Sequence, residues 1–193
     1  MWCKQCNIET NADICPVCGG TTVEDLPVEV YWCDSCKIPI INIQADKGCC
    51  PVCGGKTEYL SADLRPVFPE ERLLVELLLE KGPNSLVNES LWASNNRYYI
   101  NGKSIAMPNS KYECANINSI IEKLHCFSAA NSYDGFNKYI QLFTLANRSR
   151  LEYLKDEAFQ FIKKAASKFP AENIVVSFSG GKDSTVSADL AVK

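Results

Sequence analysis

Apolar residues are spaced along the chain in several distinct ways, and each spacing predicts an element. In "LRPVFPEERLLVELLLEKG" (64–82) a proline-marked entry and two glutamates precede a leucine-rich run that closes at Gly82. That order predicts a helix whose leucine face belongs to a core. In "SLWASNNRYYINGKSIAMP" (90–108) two β-prone runs flank Asn101-Gly102, a pair suited to the positive φ angles of a two-residue hairpin turn. Residues 97–101 and 103–107 are therefore expected to pair as strands, within a small β-rich region over roughly 84–115. Residues 116–170 carry helical spacing in three pieces. In the last piece, running to about Lys168 and capped by Asn147 or Ser149, Leu151, Leu154, Ala158, Phe161 and Ile162 share one face. Residues 173–178, "NIVVSF", are short, apolar and β-branched, the pattern of a buried parallel strand.

Composition narrows the class. The chain has 193 residues, 46% hydrophobic and 22% charged, which describes a globular chain of one or two domains. Its apolar runs are too short to span a bilayer, and "MWCKQCNIET" lacks the regions of a signal peptide. A cytoplasmic location without membrane association is the expectation.

Cysteine placement changes the picture most. Nine of the eleven cysteines lie in the first 53 residues, mostly as C-x-x-C pairs, a pattern of metal binding rather than of disulfides. The segment is an internal repeat. "WCKQCNIETNADICPVCGG" (2–20) is followed by "WCDSCKIPIINIQADKGCCPVCGG" (32–55). Cys3, Cys6, Cys15 and Cys18 make one set of four thiolates, and Cys33, Cys36, Cys50 and Cys53 make the second. Four thiolates complete the tetrahedral shell of a structural Zn²⁺. Cys49 adjoins Cys50 and is left out because Cys50 aligns with Cys15, although an exchange of the two stays open. A closed shell has no position for substrate. Residues 1–60 hold four Lys and eight Asp/Glu, a formal −4, and each zinc with four thiolates adds about −2. Such a surface repels a phosphate backbone, so a structural or protein-docking role is expected of these ribbons.

The remaining chemistry-bearing residues are read as structural. Trp92, Tyr98 and Tyr99 could stack on bases, but aromatics on a hairpin mostly pack. His125, Cys114 and Cys126 have no partner evident in the sequence and are assigned to core or surface. Lys163, Lys164 and Lys168 suit the negative end of a helix dipole.

After "NIVVSF" comes Ser179-Gly180-Gly181-Lys182-Asp183-Ser184, and then "TVSADLAVK", which begins a helix. Two glycines let the backbone approach a phosphate, and a helix N-terminus supplies free N–H groups. Ser179, Ser184 and Thr185 can donate hydroxyl hydrogen bonds. Lys182 adds a charge or points away, and Asp183 either caps the helix or holds Mg²⁺ beside phosphates. The loop is not a Walker A motif, since Lys182 is followed by Asp183.

Ser-Gly-Gly-x-Asp-Ser in a strand–loop–helix setting resembles the PP-loop of the ATP-pyrophosphatase and phosphoadenosine phosphosulfate (PAPS) reductase-like superfamily. With the ribbons ahead of it, the chain resembles the N-terminal part of a PAPS reductase-like protein. The resemblance covers the ribbons and residues 173–187, extends to 116–172 only by element order, and hardly touches 60–115. It implies an α/β domain of the adenine nucleotide α-hydrolase type, of which only the start lies in this chain. It also implies that Ser179, Gly180, Gly181, Asp183 and Ser184, with Lys182 beside them, bind the phosphates of ATP or PAPS with Mg²⁺, for adenylation or sulfate reduction in sulfur metabolism. No catalytic residue carries over, and the chain alone is expected to be inactive and to bind ATP weakly or not at all.

The expected fold class is thus α+β and multi-domain. Its parts are zinc ribbons at 1–26 and 27–60, a small α+β domain at 61–115, a helical segment at 116–170, and the incomplete start of a PP-loop domain at 171–193. The expected partners are an adenine nucleotide and, through the ribbons, a protein or tRNA. The competing expectation is a ribbon docking module without catalysis, related to tRNA-thiolation proteins.

Overall fold

The computed structural model describes residues 1–3, 5–6, 8–23, 29–41, 48–94, 97–107, 113, 116–128 and 131–192. The chain divides into two compact units, 1–147 and 148–193. The class is α+β, with three small antiparallel sheets and five α-helices among the described residues. No described helix is long and apolar enough to cross a membrane. Cys114 lies outside the described residues.

The first ribbon holds a two-stranded sheet, β1 (Trp2–Cys3) and β2 (Ile8–Glu9), plus an isolated bridge between Ile14 and Thr21. The second is larger. Its strands β3 (Val30–Cys33), β4 (Ile38–Ile41) and β5 (Thr57–Ser61) form a sheet in the order β4-β3-β5. The bridge between Cys49 and Lys56 repeats the one between Ile14 and Thr21.

A four-stranded sheet follows, in the order β6 (Arg65–Pro66), β7 (Leu91–Ser94), β8 (Arg97–Ile100), β9 (Lys103–Ala106). The hairpin expected at Asn101-Gly102 is present. Both residues have positive φ, 50° and 79°, and Ile100 pairs with Lys103 across the turn. The glycine has a second use. A Cβ at Gly102 would lie 2.4 Å from Trp32 Nε1, so the indole of the second ribbon rests directly on the hairpin turn.

Strand β7 is buried on both faces, and its period of two sorts its side chains. Leu91 and Ala93 join Val67, Val75, Leu78, Leu86 and Met107 in a core under α1 (Pro69–Leu78). Trp92 points the other way and packs with Trp32 and Tyr99, covered by Ile140 and Phe143 of α3 (Asp134–Ala146). The aromatics considered for base stacking are therefore packing groups. Trp92 is buried with its Nε1–H donating to Ser90 Oγ at 2.9 Å, Tyr99 is buried, and Tyr98 donates its hydroxyl to Glu71 at 2.9 Å.

Helix α1 is shorter than the apolar run suggests. It stops at Leu78 rather than near Gly82, in a closed C-terminal motif: Lys81 N–H donates to Glu76 O at 2.8 Å and Glu80 N–H to Leu77 O at 3.1 Å. Glu80, at φ 58°, occupies the left-handed position that glycine usually fills. Arg72 and Glu76 of α1 form a buried pair at 3.5 Å. Glu76 also accepts the N–H groups of Asn84 (2.7 Å) and Leu86 (2.8 Å). Arg72 donates to Ser132 O and Asn84 Oδ1, both at 2.9 Å, and to Asn131 Oδ1. Burying two charges is tolerated here because each is hydrogen-bonded as well as paired.

Helix α2 (Ile117–Ser128) is capped by Asn116, whose Oδ1 accepts Ser119 N–H at 3.1 Å, and Ile120 reaches the core under α1. Helix α3 enters against the loop before β7: an added Cβ at Gly135 would lie 1.8 Å from Val87 O. At its other end Asn147 is buried and turned toward the ribbon rather than capping the next helix. Its Oδ1 accepts Ile41 N–H at 2.7 Å, and its Nδ2 donates to Pro39 O at 3.1 Å and Phe143 O at 2.9 Å.

The second unit comprises α4 (Arg148–Ala166), a 3-10 turn (Ala171–Asn173) and α5 (Lys182–Val192), with α5 in contact with α4. One expectation fails in it. Residues 174–178 are not a strand; they have no regular structure and are exposed, with Val175 at 87%. A strand is held by ladder hydrogen bonds, and no described residue of this unit belongs to a strand that could supply them. The shared apolar face of α4 is at least partly exposed: the helix has no buried residue, and Phe161 is 73% exposed. Periodicity finds such a face but does not say what covers it.

Candidate metal centres and the glycine-rich loop

Three of the Cys-x-x-Cys knuckles share one construction among the described residues. Cys-x-x-Cys closes a turn in which the residue after the second cysteine donates its N–H to the carbonyl of the first. Gly19 N–H reaches Cys15 O at 2.9 Å, Lys37 N–H reaches Cys33 O at 2.8 Å, and Gly54 N–H reaches Cys50 O at 2.8 Å. That residue needs positive φ: 72° at Gly19, 70° at Gly54 and 56° at Lys37. Glycine takes this conformation without strain; a lysine takes it at a cost.

The turns aim the sulfurs inward. Cys3, Cys6, Cys15 and Cys18 form one group, and Cys33, Cys36, Cys50 and Cys53 form the other, with all ligand atoms of each group within 4.8 Å of one another. The sulfurs of Cys3 and Cys18 are 3.5 Å apart, as are those of Cys33 and Cys53, while Cys36 and Cys50 are at 3.9 Å. A tetrahedral ion bound to sulfur at about 2.3 Å sets neighbouring sulfurs about 3.8 Å apart, so the donor set fits one such ion per group. The eight cysteines expected as ligands are those brought together. Cys50 takes the ligand place and Cys49 is exposed outside the group, which resolves the exchange left open between them.

Backbone N–H groups complete the electrostatics. Cys3 accepts from Cys6 N–H, Cys15 from Val17, Cys18 from Gly20, Cys33 from Cys36 and Cys53 from Gly55, each at 3.4 Å. These donors favour thiolate. Gly55 N–H, followed by the neighbouring thiols, brings Cys53 down to about 7. At Cys15 burial opposes ionisation, but the N–H groups of Cys18 and Val17 prevail and it also falls to about 7. Cys6, holding its proton toward Cys18, is pushed up to about 12, and burial raises Cys36 well above the usual thiol range. Each group without metal thus pairs a readily ionised thiol with one that keeps its proton.

The two centres are set differently. Cys33 and Cys50 belong to an apolar cluster with Ile38, Ile40 and Ala146, against Tyr139 and Leu142 of α3. No described residue of the first ribbon belongs to a comparable cluster, and Ile14 and Val17 are exposed there. What the sequence did not reveal is the bracket joining the second ribbon to α3, because Asn147 reads equally well as a cap for the helix that follows it.

The glycine-rich loop lies in the other unit. Gly180 has φ 78°, and the loop turns directly into α5. Its hydroxyls are engaged with the loop itself. Ser179 N–H (3.3 Å) and Oγ–H (3.1 Å) donate to Ser184 Oγ, and the hydroxyls of Ser184 and Thr185 both donate to Gly181 O at 2.9 Å. Asp183 is exposed in the first turn. The N–H groups of a first helical turn have no intrahelical partner, so they are the donors this loop offers to an anion. The description of Lys182 extends to its backbone only. Ser179, Gly180, Gly181, Asp183 and Ser184 are contiguous around the helix start, but the strand expected to lead into them is absent.

Comparison with family models, with curated proteins and with solved structures gives no match to this chain.

Proposed function

We propose that the chain is a zinc-ribbon scaffold carrying a PP-loop of the PAPS reductase-like type, with one structural Zn²⁺ in each four-cysteine group. The observation that carries the zinc reading is the pair of closed four-sulfur groups, each with its ligand atoms within 4.8 Å. Four thiolates leave no open coordination position, so the ions fold the ribbons and perform no chemistry on a substrate. The loop at 179–184 is the nucleotide-facing part. Gly180 and Gly181 bring backbone N–H groups and the start of α5 to the phosphates of ATP or of an adenylyl sulfate, and Asp183 is the residue placed for Mg²⁺. The support for this part is the loop's residue string and its position at a helix N-terminus.

Two measurements test the proposal separately. Elemental analysis of purified protein should give two zinc per chain; no metal, or iron with a visible chromophore, overturns the zinc reading. Calorimetry with ATP–Mg²⁺ should show binding weaker than micromolar, because the Ser184 and Thr185 hydroxyls are turned back on Gly181 and residues 174–178 lack sheet support. Binding indifferent to Asp183→Ala and Ser184→Ala refutes the loop assignment.

A second reading, a ribbon docking module without catalysis, is favoured by one observation: Ile14 and Val17 expose apolar surface on the first ribbon. Acidic ribbons make a protein a better partner than tRNA. Pull-down that depends on Ile14 and Val17, with no nucleotide effect, would select this reading.

A further inference from the structure

Exposure is distributed unequally, and identically, over the two four-sulfur groups. In each, the first and third cysteines are buried, the second is half-buried and the fourth is exposed. Of the five N–H···S hydrogen bonds, only those at Cys18 and Cys53 are at the surface. The residue two positions on is glycine in both repeats. A Cβ at Gly20 would lie 3.3 Å from Cys18 Sγ, and a Cβ at Gly55 would lie 3.3 Å from Cys53 Sγ. Neither of these glycines has positive φ, so neither is needed for backbone conformation. What the missing side chain leaves is an opening beside the sulfur. Behind each exposed sulfur stands a buried one at 3.5 Å, Cys3 behind Cys18 and Cys33 behind Cys53.

We infer that Cys18 and Cys53 are the oxidation sites through which a small hydroperoxide discharges the zinc of each ribbon. This rests on the zinc reading above. The Cys53 thiolate attacks one peroxide oxygen, the O–O bond breaks, and a sulfenic acid and hydroxide form. The Cys33 thiolate then attacks the Cys53 sulfur, an S–S bond forms and a second hydroxide leaves. Two thiolates lose two electrons, hydrogen peroxide becomes two waters (an organic hydroperoxide, an alcohol and one water) by taking two protons from solvent, and Zn²⁺, left with two of its four ligands, is released. The same steps at Cys18 and Cys3 discharge the first ribbon. Selectivity comes from access, since thiolate oxidation follows exposure as well as thiolate character.

The test uses the full chain with Cys49, Cys114 and Cys126 changed to Ser, so that other thiols do not consume oxidant. Zinc content is measured first; a chain without zinc overturns the metal reading and this inference with it. On titration with hydrogen peroxide, zinc release is followed by a chromogenic chelator and disulfides by peptide mass spectrometry. The expected products are Cys3–Cys18 and Cys33–Cys53, with one zinc released per disulfide. Gly20→Ala and Gly55→Ala, compared at equal zinc content, should slow release from their own ribbon several-fold and leave the other ribbon at its original rate. Disulfides centred on Cys6 or Cys36, or release rates unchanged by both alanines in zinc-loaded protein, overturn the inference.

Discussion

Asn147 accepts the N–H of Ile41 at 2.7 Å, joining the end of α3 to the edge strand of the second ribbon. The same side chain donates to Pro39 O, so one buried amide closes both polar groups of β4 that face it. Asn147→Ala leaves a buried acceptor and a part-buried donor without these partners. The expected loss is about 2–6 kcal/mol, from roughly 1–3 kcal/mol per orphaned group, read by urea denaturation of zinc-loaded protein. Asn147→Asp, which keeps the acceptor toward Ile41 but loses the donor toward Pro39, should fall between.

Gly135→Ala should be damaging for a different reason. Its Cβ would collide with the Val87 carbonyl at 1.8 Å, and backbone on both sides leaves nothing flexible to yield. Overpacking of this kind costs about 1–3 kcal/mol, and here the entry of α3 has to shift. A lowered melting temperature with weaker near-UV circular dichroism from Trp92, which packs 5.1 Å from Phe143 of the same helix, is the expected result.

Lys37→Gly should stabilise. Lys37 stands at φ 56° where the corresponding knuckle residues Gly19 and Gly54 are glycine. Relief of a left-handed non-glycine residue is worth about 1 kcal/mol. The exposed ion pair lost with Asp34, at 2.6 Å, returns a few tenths. A net gain of about 0.5 kcal/mol in chemical denaturation is expected.

Arg65 grips Glu71 through two hydrogen bonds of 2.6 Å, and Tyr98 adds a third at 2.9 Å. Although burial opposes ionisation of Glu71, Arg65 and Tyr98 outweigh it and hold the carboxyl below its usual value. A carboxyl lowered on folding stabilises fully above its unfolded value, about pH 4.3, and that stabilisation is lost as pH falls through the folded value. Glu71→Gln should therefore be less stable than the parent at pH 6–7, and the two denaturation midpoints should converge as pH is taken below about 4.

Loss of a ligand should separate the two centres. Cys33 and Cys50 lie in the same apolar cluster as Ala146, whereas no described residue of the first ribbon joins such a cluster. Cys33→Ser should thus weaken the near-UV signal of Trp32 and Trp92 and lower the denaturation midpoint, while Cys3→Ser, which breaks the first four-sulfur group, should have a smaller effect on both.

Several of these features could be read directly from the residues. Both cysteine sets, the Asn101-Gly102 hairpin and the three helical pieces each depend on a local rule, either ligand spacing, positive φ or periodicity, and local rules are written in contiguous residues. Asn147 illustrates the opposite case. Its partners in the ribbon, Ile41 and Pro39, lie more than a hundred residues away, and its local context suggested a helix cap. Glu80 and Lys37 also escaped notice, because a left-handed residue is only legible when it is glycine or asparagine. Residues 174–178 show the limit of apolar pattern: it reports a capacity to pair, and pairing requires a second strand.

If the second group is metal-loaded as proposed, the contact of Trp32 with Gly102 and the Asn147 bracket make metal loading and helix packing two sides of one equilibrium in the first unit. Whatever binds only the folded form raises its stability, and the reverse holds with equal force. On the zinc reading, a change in α3 is then a change in metal affinity at the second ribbon, and a chelator acts on α3 as a denaturant.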